Sequence, residues 1–190
     1  FGERIQVDIA NMMFDVCEAV VTEYHGGDFE DFKLELIRVL SIESPVTQEE
    51  FMKDKPEDIV EKLHALVIDA HKRKVDTISK QAYPVIKDVY ENKAEMYENI
   101  VVPISDGTKN FQVVTNLKKA YETKAEELVR AYEKVAILAT IDDSWKDHLR
   151  EMDDLKQSVQ NASYEQKDPL LIYKFESFNL FKTMIEETNK

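Results

Sequence analysis

The residues that could do chemistry in this 190-residue sequence are four histidines, one cysteine and many carboxylates. Glu61-x-x-His64 has the spacing with which one helix offers two ligands to a di-iron centre. Such a centre needs a second Glu-x-x-His and two more glutamates on facing helices. No second copy exists, so the expected reading is a surface pair. His71 opens the run His71-Lys72-Arg73-Lys74, read as a solvated helix face, with a patch for acidic lipid or an acidic partner as the alternative. His148 follows Ser144 by about one helical turn. No nucleophile with an orienting acid accompanies it, so a satisfied, partly buried histidine is expected rather than a catalytic base. Cys17 shares a helical face with Met13, Val16 and Val20, which points to an inert buried thiol. One cysteine also excludes an internal disulfide and fits a reducing compartment. The carboxylates Asp142, Asp143, Asp147, Glu151, Asp153 and Asp154 surround most of a helix, with Lys146, Arg150 and Lys156 interleaved at pairing distance. A solvated, ion-paired face is the expected reading. The sequence contains no G-x-x-x-x-G-K-S/T, G-x-G-x-x-G, H-E-x-x-H or G-x-S-x-G.

The elements that must carry these residues are mostly helices. Only 4 glycines occur, too few for a turn-rich sandwich or barrel or for a glycine-rich phosphate loop. Net charge is −13, and residues 1–70 hold 17 acids against 6 bases. That balance argues against a nucleic-acid partner, which would require clustered Lys and Arg. No apolar run approaches the roughly 18 residues of a membrane span, and no signal peptide is visible. The chain begins at Phe1 in mid-helical pattern, as a piece cut from a longer protein would.

Apolar spacing predicts a first helix to about Tyr24, ended by Gly26-Gly27. Asp28 caps a second helix with Phe29, Phe32, Leu36, Val39 and Leu40 inward. Thr47-x-x-Glu50 reads as a capping box, and Pro56 opens a further helix that Pro84 should kink or end, with a helical stretch resuming to about Tyr97. Asp106-Gly107 between β-branched runs predicts one hairpin over 99–114 that leans on the helices, with Pro103 confining its first arm to an edge or a bulge. Asn116 then caps one very long helix over 117–160, and Asp168-Pro169 opens the last. A short polar connection makes these two an antiparallel hairpin. Trp145, Leu149, Met152, Phe175, Phe178 and Phe181 are expected to pack its inner faces, with Trp145 a core or interface anchor. Tyr164 stands at the tip. Taken alone, it reads as a turn residue folding back on its own helices, with a contact site as the alternative.

The stretch Ile141-Asp-Asp-Ser-Trp145-Lys-Asp-His148-Leu149-Arg-Glu-Met152-Asp-Asp-Leu155 resembles the helical scaffold of SecA, the motor of the bacterial Sec translocase. So do Tyr164-Glu-Gln-Lys-Asp168-Pro169, Tyr173-Lys-Phe-Glu-Ser177-Phe178 and the helix from Gly2 to Val16. Residues 25–125 match more weakly. The resemblance implies a mainly α chain: residues 1–24 the end of the long scaffold helix, 25–124 the helical wing with its hairpin insertion, and 125–190 the scaffold's two-helix finger. It implies that Tyr164, with Ala162, Ser163, Glu165 and Gln166, forms a finger tip that touches the SecY channel and the unfolded preprotein. Ala162-Ser163 stand where many SecA proteins have Arg-Gly. Trp145, His148, Leu149, Met152, Phe175 and Phe178 would pack the scaffold or meet the motor domains in cis. ATP and magnesium would belong to those missing domains; this piece would hold no cofactor or metal and hydrolyse nothing. The parent would be cytoplasmic and peripheral to the inner membrane. A free-standing helical adaptor, binding partners through a long hairpin, is the alternative function.

Overall fold

A computed structural model of the chain describes residues 2–93, 95–105, 107, 109–162 and 168–188. The elements run α1 (Gly2–Tyr24), α2 (Phe29–Leu40), α3 (Gln48–Lys53), α4 (Pro56–Lys93), β1 (Asn99–Ser105), β2 (Asn110–Asn116), α5 (Leu117–Glu122), α6 (Glu126–Ala162) and α7 (Pro169–Thr188). The mainly α class with one small antiparallel hairpin is what the sequence predicts. The chain forms two compact units, Phe1–Val135 and Ala136–Lys190.

In the first unit two separate apolar cores share α4. The N-terminal core joins Cys17, Val20 and Val21 of α1, Phe32 and Leu36 of α2, Phe51 of α3, and Ile59, Val60, Leu63 and Val67 of α4. Phe32 and Phe51 stack with ring centroids 4.6 Å apart. The turns that bring these helices together follow local chemistry. Gly26 adopts φ +82°, a left-handed conformation costly for other residues. Asp28 then caps α2, its carboxylate accepting from the backbone N–H of Glu30 (2.7 Å) and Asp31 (3.1 Å). The capping box of α3 is complete. The Thr47 hydroxyl accepts from Glu50 N–H (3.3 Å), and the Glu50 carboxylate accepts from Thr47 N–H (2.8 Å).

The second core gathers Ile86 of α4, Val113 of β2, Leu117 and Ala120 of α5, Ala125 in the connection, and Leu128 of α6. The hairpin leans on this core, with Val102 opposite Val113 and Ile104 opposite Phe111 in its register. Val101 and Val114 face solvent, as alternation along a strand requires. Tyr90 and Tyr121 stack at 4.2 Å, tying α4 to α5.

Two expectations need correction. Pro84 does not end its helix, because α4 is continuous from Pro56 to Lys93. Pro84 and Lys80 are both exposed, so the carbonyl deprived of its helical partner faces water rather than apolar core. The long helix predicted over 117–160 is instead broken at 123–125. Lys124 (φ 51°) and Ala125 (φ 74°) are both left-handed. Ala125 N–H bonds Ala120 O at 2.7 Å and Lys124 N–H bonds Tyr121 O at 3.1 Å, the paired bonds of a Schellman ending. Ala125 and Ala120 are both buried in the second core, which supplies the apolar contact that accompanies this motif. Burial of Ala125, rather than a glycine, selects the break.

Lys124→Gly should relieve the left-handed cost and stabilise the first unit by up to about 1 kcal/mol. Urea denaturation checks this: a loss of stability would show that the Lys124 side chain contributes more than its backbone costs.

Candidate functional site

The second unit carries most of the residues singled out from sequence. Asp168 caps α7, accepting from Leu170 N–H at 3.0 Å. α6 ends at Ala162 and α7 begins at Pro169, so Ala162 is the last residue of α6. Ser163, Tyr164, Glu165 and Gln166 lie outside the described residues. Val159 on α6 and Met184 on α7 are buried. His148 on α6 meets the Phe181 ring edge-on at 5.9 Å. His148 lies fourteen residues before the end of α6 and Phe181 twelve after the start of α7. Contact at such matched offsets makes the pair an antiparallel hairpin, as expected.

Its faces are not filled as predicted. Trp145 is 44% exposed, Leu149 48%, and Phe175 and Phe178 66% each. Phe181 is exposed too, while Met152 is half-buried. The expectation that these groups pack the inside of the hairpin is therefore corrected for Trp145, Leu149, Phe175 and Phe178, while Phe181, though partly exposed, still meets His148 across it. The apolar spacing itself is real. Leu171, Phe175 and Phe178 recur every three or four residues along one side of α7, with Ile185 two turns further on, and all are exposed. Met184 and His148, lying off that stripe, do the internal packing. α6 repeats the pattern with Leu138, Ile141, Trp145 and Leu149. Periodicity locates an apolar stripe but not what covers it. Aligned apolar exposure on this scale marks a surface meant to be covered.

His148 is 6% exposed, between Trp145 (5.4 Å) and Phe181. Burial matches expectation. Satisfaction does not, because Nδ1 has no hydrogen-bond partner among the described residues. The carboxylate-rich stretch is a solvated face as predicted, with Lys146 paired to Asp142 and Arg150 to Asp147. The Asp142 carboxylate, hydrogen-bonded to the Lys146 ammonium, raises the pKa of that group.

In the first unit the histidines depart from their readings. His64 is not a surface partner of Glu61. Its Nε2 is buried without a partner, and its ring meets Phe14 edge-on at 5.3 Å. His71 is not on the solvated side of its basic run. Nε2 lies 2.8 Å from Glu133 Oε1, and Gln6 Nε2 donates to the other oxygen of the same carboxylate at 2.6 Å. These three side chains come from α4, α6 and α1. Sequence reasoning missed this cluster because its members stand 62 and 127 residues from Glu133 with no motif between them. Among the described residues no three His, Cys, Asp or Glu side chains gather to hold a metal ion. No described helix is long and apolar enough to cross a membrane.

A family model of the SecA wing and scaffold domain matches residues 1–190. The chain belongs to that SecA family. It is 51% identical over 189 residues to the protein translocase subunit SecA of Parabacteroides distasonis, covering 100% of this chain and 17% of that protein. The SecA of Porphyromonas gingivalis is 48% identical over 190 residues and that of Christiangramia forsetii 50% over 191, each with 100% of this chain and 17% of the relative covered. The SecA segment thus spans about a sixth of the length of these relatives. No solved structure matches the chain.

Cys17 is buried at 0% exposure, and burial pushes its thiol up to about 11 from an ordinary 9.0. A raised folded-state pKa means that the fold favours the protonated thiol. Its stabilisation is whole below pH 9 and is lost as pH rises towards 11. Cys17 should therefore resist alkylation at pH 8 until the chain unfolds, a contrast that mass spectrometry reads directly. Rapid labelling of the folded protein would contradict the buried placement.

Proposed function

We propose that this SecA wing and scaffold segment braces the motor domains of its parent and carries force to a finger tip. The observation that supports this most is the exposed apolar stripe on α6 and α7, formed by Trp145, Leu149, Phe175 and Phe178. The chain spans about a sixth of its relatives. The missing parts of the same polypeptide are the cover that fits, so these residues form an interface to the motor in cis. On this reading ATP and magnesium are bound there, and the parent couples ATP hydrolysis to preprotein export. The tip residues Ala162, Ser163, Tyr164, Glu165 and Gln166 meet the SecY channel and the unfolded preprotein at the cytoplasmic side of the inner membrane. A tyrosine suits that contact: its ring grips apolar and polar sequences alike, and its hydroxyl bonds passing backbone.

Two variants test the reading separately. Phe178→Asp should change the stability of the 190-residue chain by less than about 0.5 kcal/mol, as expected for an exposed site. In the parent it should cost about 2–3 kcal/mol by stranding a charge in a covered interface. Equal, small effects in both would remove the motor-interface role. Tyr164→Ala in the parent should reduce preprotein export several-fold while ATP hydrolysis and melting temperature are retained. Normal export would remove the tip role.

A further inference from the structure

We propose that the base of α6 is a two-position joint, hinged at residues 123–125 and closed by a polar clasp at Glu133. The hinge is the pair of left-handed residues Lys124 and Ala125 that follows α5. Leu128 and Val129, one turn into α6, are buried and hold the helix at its hinge end. Ala131 and Tyr132 also pack against the second core, with Tyr132 meeting Phe111 edge-on at 5.9 Å, and the Glu133 carboxylate is the polar tie that follows. It accepts from Gln6 of α1 at 2.6 Å and pairs with His71 of α4 at 2.8 Å. An ionised carboxylate can only accept, so His71 Nε2 carries the hydrogen. The group is well placed: the side chain of Glu133 is 13% exposed.

What lies beside the clasp is space rather than packing. A cleft of about 770 Å³ opens between α1, α4 and α6, bordered by Ile9, Met13, Val75 and Val129 as well as by the three clasp residues. Ser79, on the α4 wall of this cleft, keeps a buried hydroxyl with no partner. Close-packed helices resist displacement because every contact must be remade. Here Leu128, Ala131 and Tyr132 pack α6 on the second core, while on its cleft side directional hydrogen bonds take the place of packing. Those bonds fail within about 1 Å of stretch, so the clasp is either made or broken.

The helix turns this into leverage. At about 1.5 Å per residue, Glu133 stands about 12 Å from the hinge and Ala162 about 55 Å from it. An opening of about 2 Å at the clasp, enough to break it, becomes about 9 Å at the end of α6 if the helix moves as a rod. Glu133 is then a positioning residue for whatever α6 carries. That the load is a force-bearing finger rests on the function proposed above.

The test uses the full-length parent with spin labels at Lys74→Cys and Lys156→Cys, in a background otherwise free of reactive cysteines. With the clasp intact, one narrow distance distribution is expected. Glu133→Ala removes both arms and should add a second population displaced by at least 5 Å, a little over half the leverage estimated above. Glu133→Gln still accepts from Gln6 and should add less of it. His71→Ala and Gln6→Ala each remove one arm and serve if Glu133→Ala does not fold. Distributions in all these variants that superimpose on the unsubstituted parent would overturn the joint. ATP hydrolysed per preprotein exported is measured alongside, and should rise several-fold in Glu133→Ala while ATP hydrolysis itself is unchanged. A displaced population with an unchanged ratio leaves the joint standing and removes its role in force transfer.

Discussion

The first unit depends on one constraint: α4 must remain a single helix, because among the described residues it is the one element shared by both cores. Ile59, Val60, Leu63 and Val67 anchor its first half against α1, α2 and α3, and Ile86 anchors its second half against α5 and the hairpin. Its middle, from Ile68 to Tyr83, belongs to neither core's buried set and borders the cleft instead. A break there would uncouple the two cores. A proline near this stretch would ordinarily supply such a break, at a cost of about 3 kcal/mol in a buried helix interior. Pro84 escapes most of that cost by lying on the exposed side, one turn from an exposed Lys80. The backbone stays continuous, and one helix joins the two cores.

Legibility from sequence followed the range of the interaction. The Asp28 cap, the Thr47–Glu50 box, the Gly26 turn, the Asp168 cap and the hairpin at Asp106-Gly107 are each decided within about six residues, so composition and spacing exposed them. The break at 123–125 is decided by Ala125 entering a core built from α4, β2 and α5, and no local residue marks it. The clasp of Gln6, His71 and Glu133 was invisible for the same reason. His71 looked like one more charge in a basic run, because nothing nearby shows that α6 delivers a carboxylate to it. The stripes of α6 and α7 were seen correctly as apolar, yet their orientation was misjudged. Amphipathicity reports that a face avoids water, and the choice between a neighbouring helix and a distant domain is made outside the pattern.

Both units bury polar atoms that have no hydrogen-bond partner among the described residues. In the first unit these belong to His64, Ser79 and Thr115, whereas the Glu133 carboxylate is paired on both oxygens. In the second unit, His148 is buried between rings with an unpaired Nδ1. Leaving a buried polar atom without a partner costs about 1–3 kcal/mol. Such a cost is sustained where surrounding contacts over-determine the position, and here Trp145 and Phe181 close on the ring from two sides.

The contrast between apolar stripe and polar clasp also separates permanence from reversibility. An apolar interface gains free energy in proportion to the area covered and tolerates small sliding, so it suits surfaces that stay together through a cycle. A carboxylate held by two donors gains little net free energy over solvation in water. It does define a single geometry, and it releases without a large hydrophobic penalty because water can take over each partner. On the function proposed above, the exposed stripe of α6 and α7 is a face that adheres, and the clasp of the proposed joint is a tie that can let go. Glycine at 124 would have made the turn easier and looser. Lysine there is held left-handed by the two Schellman hydrogen bonds and by the burial of Ala125.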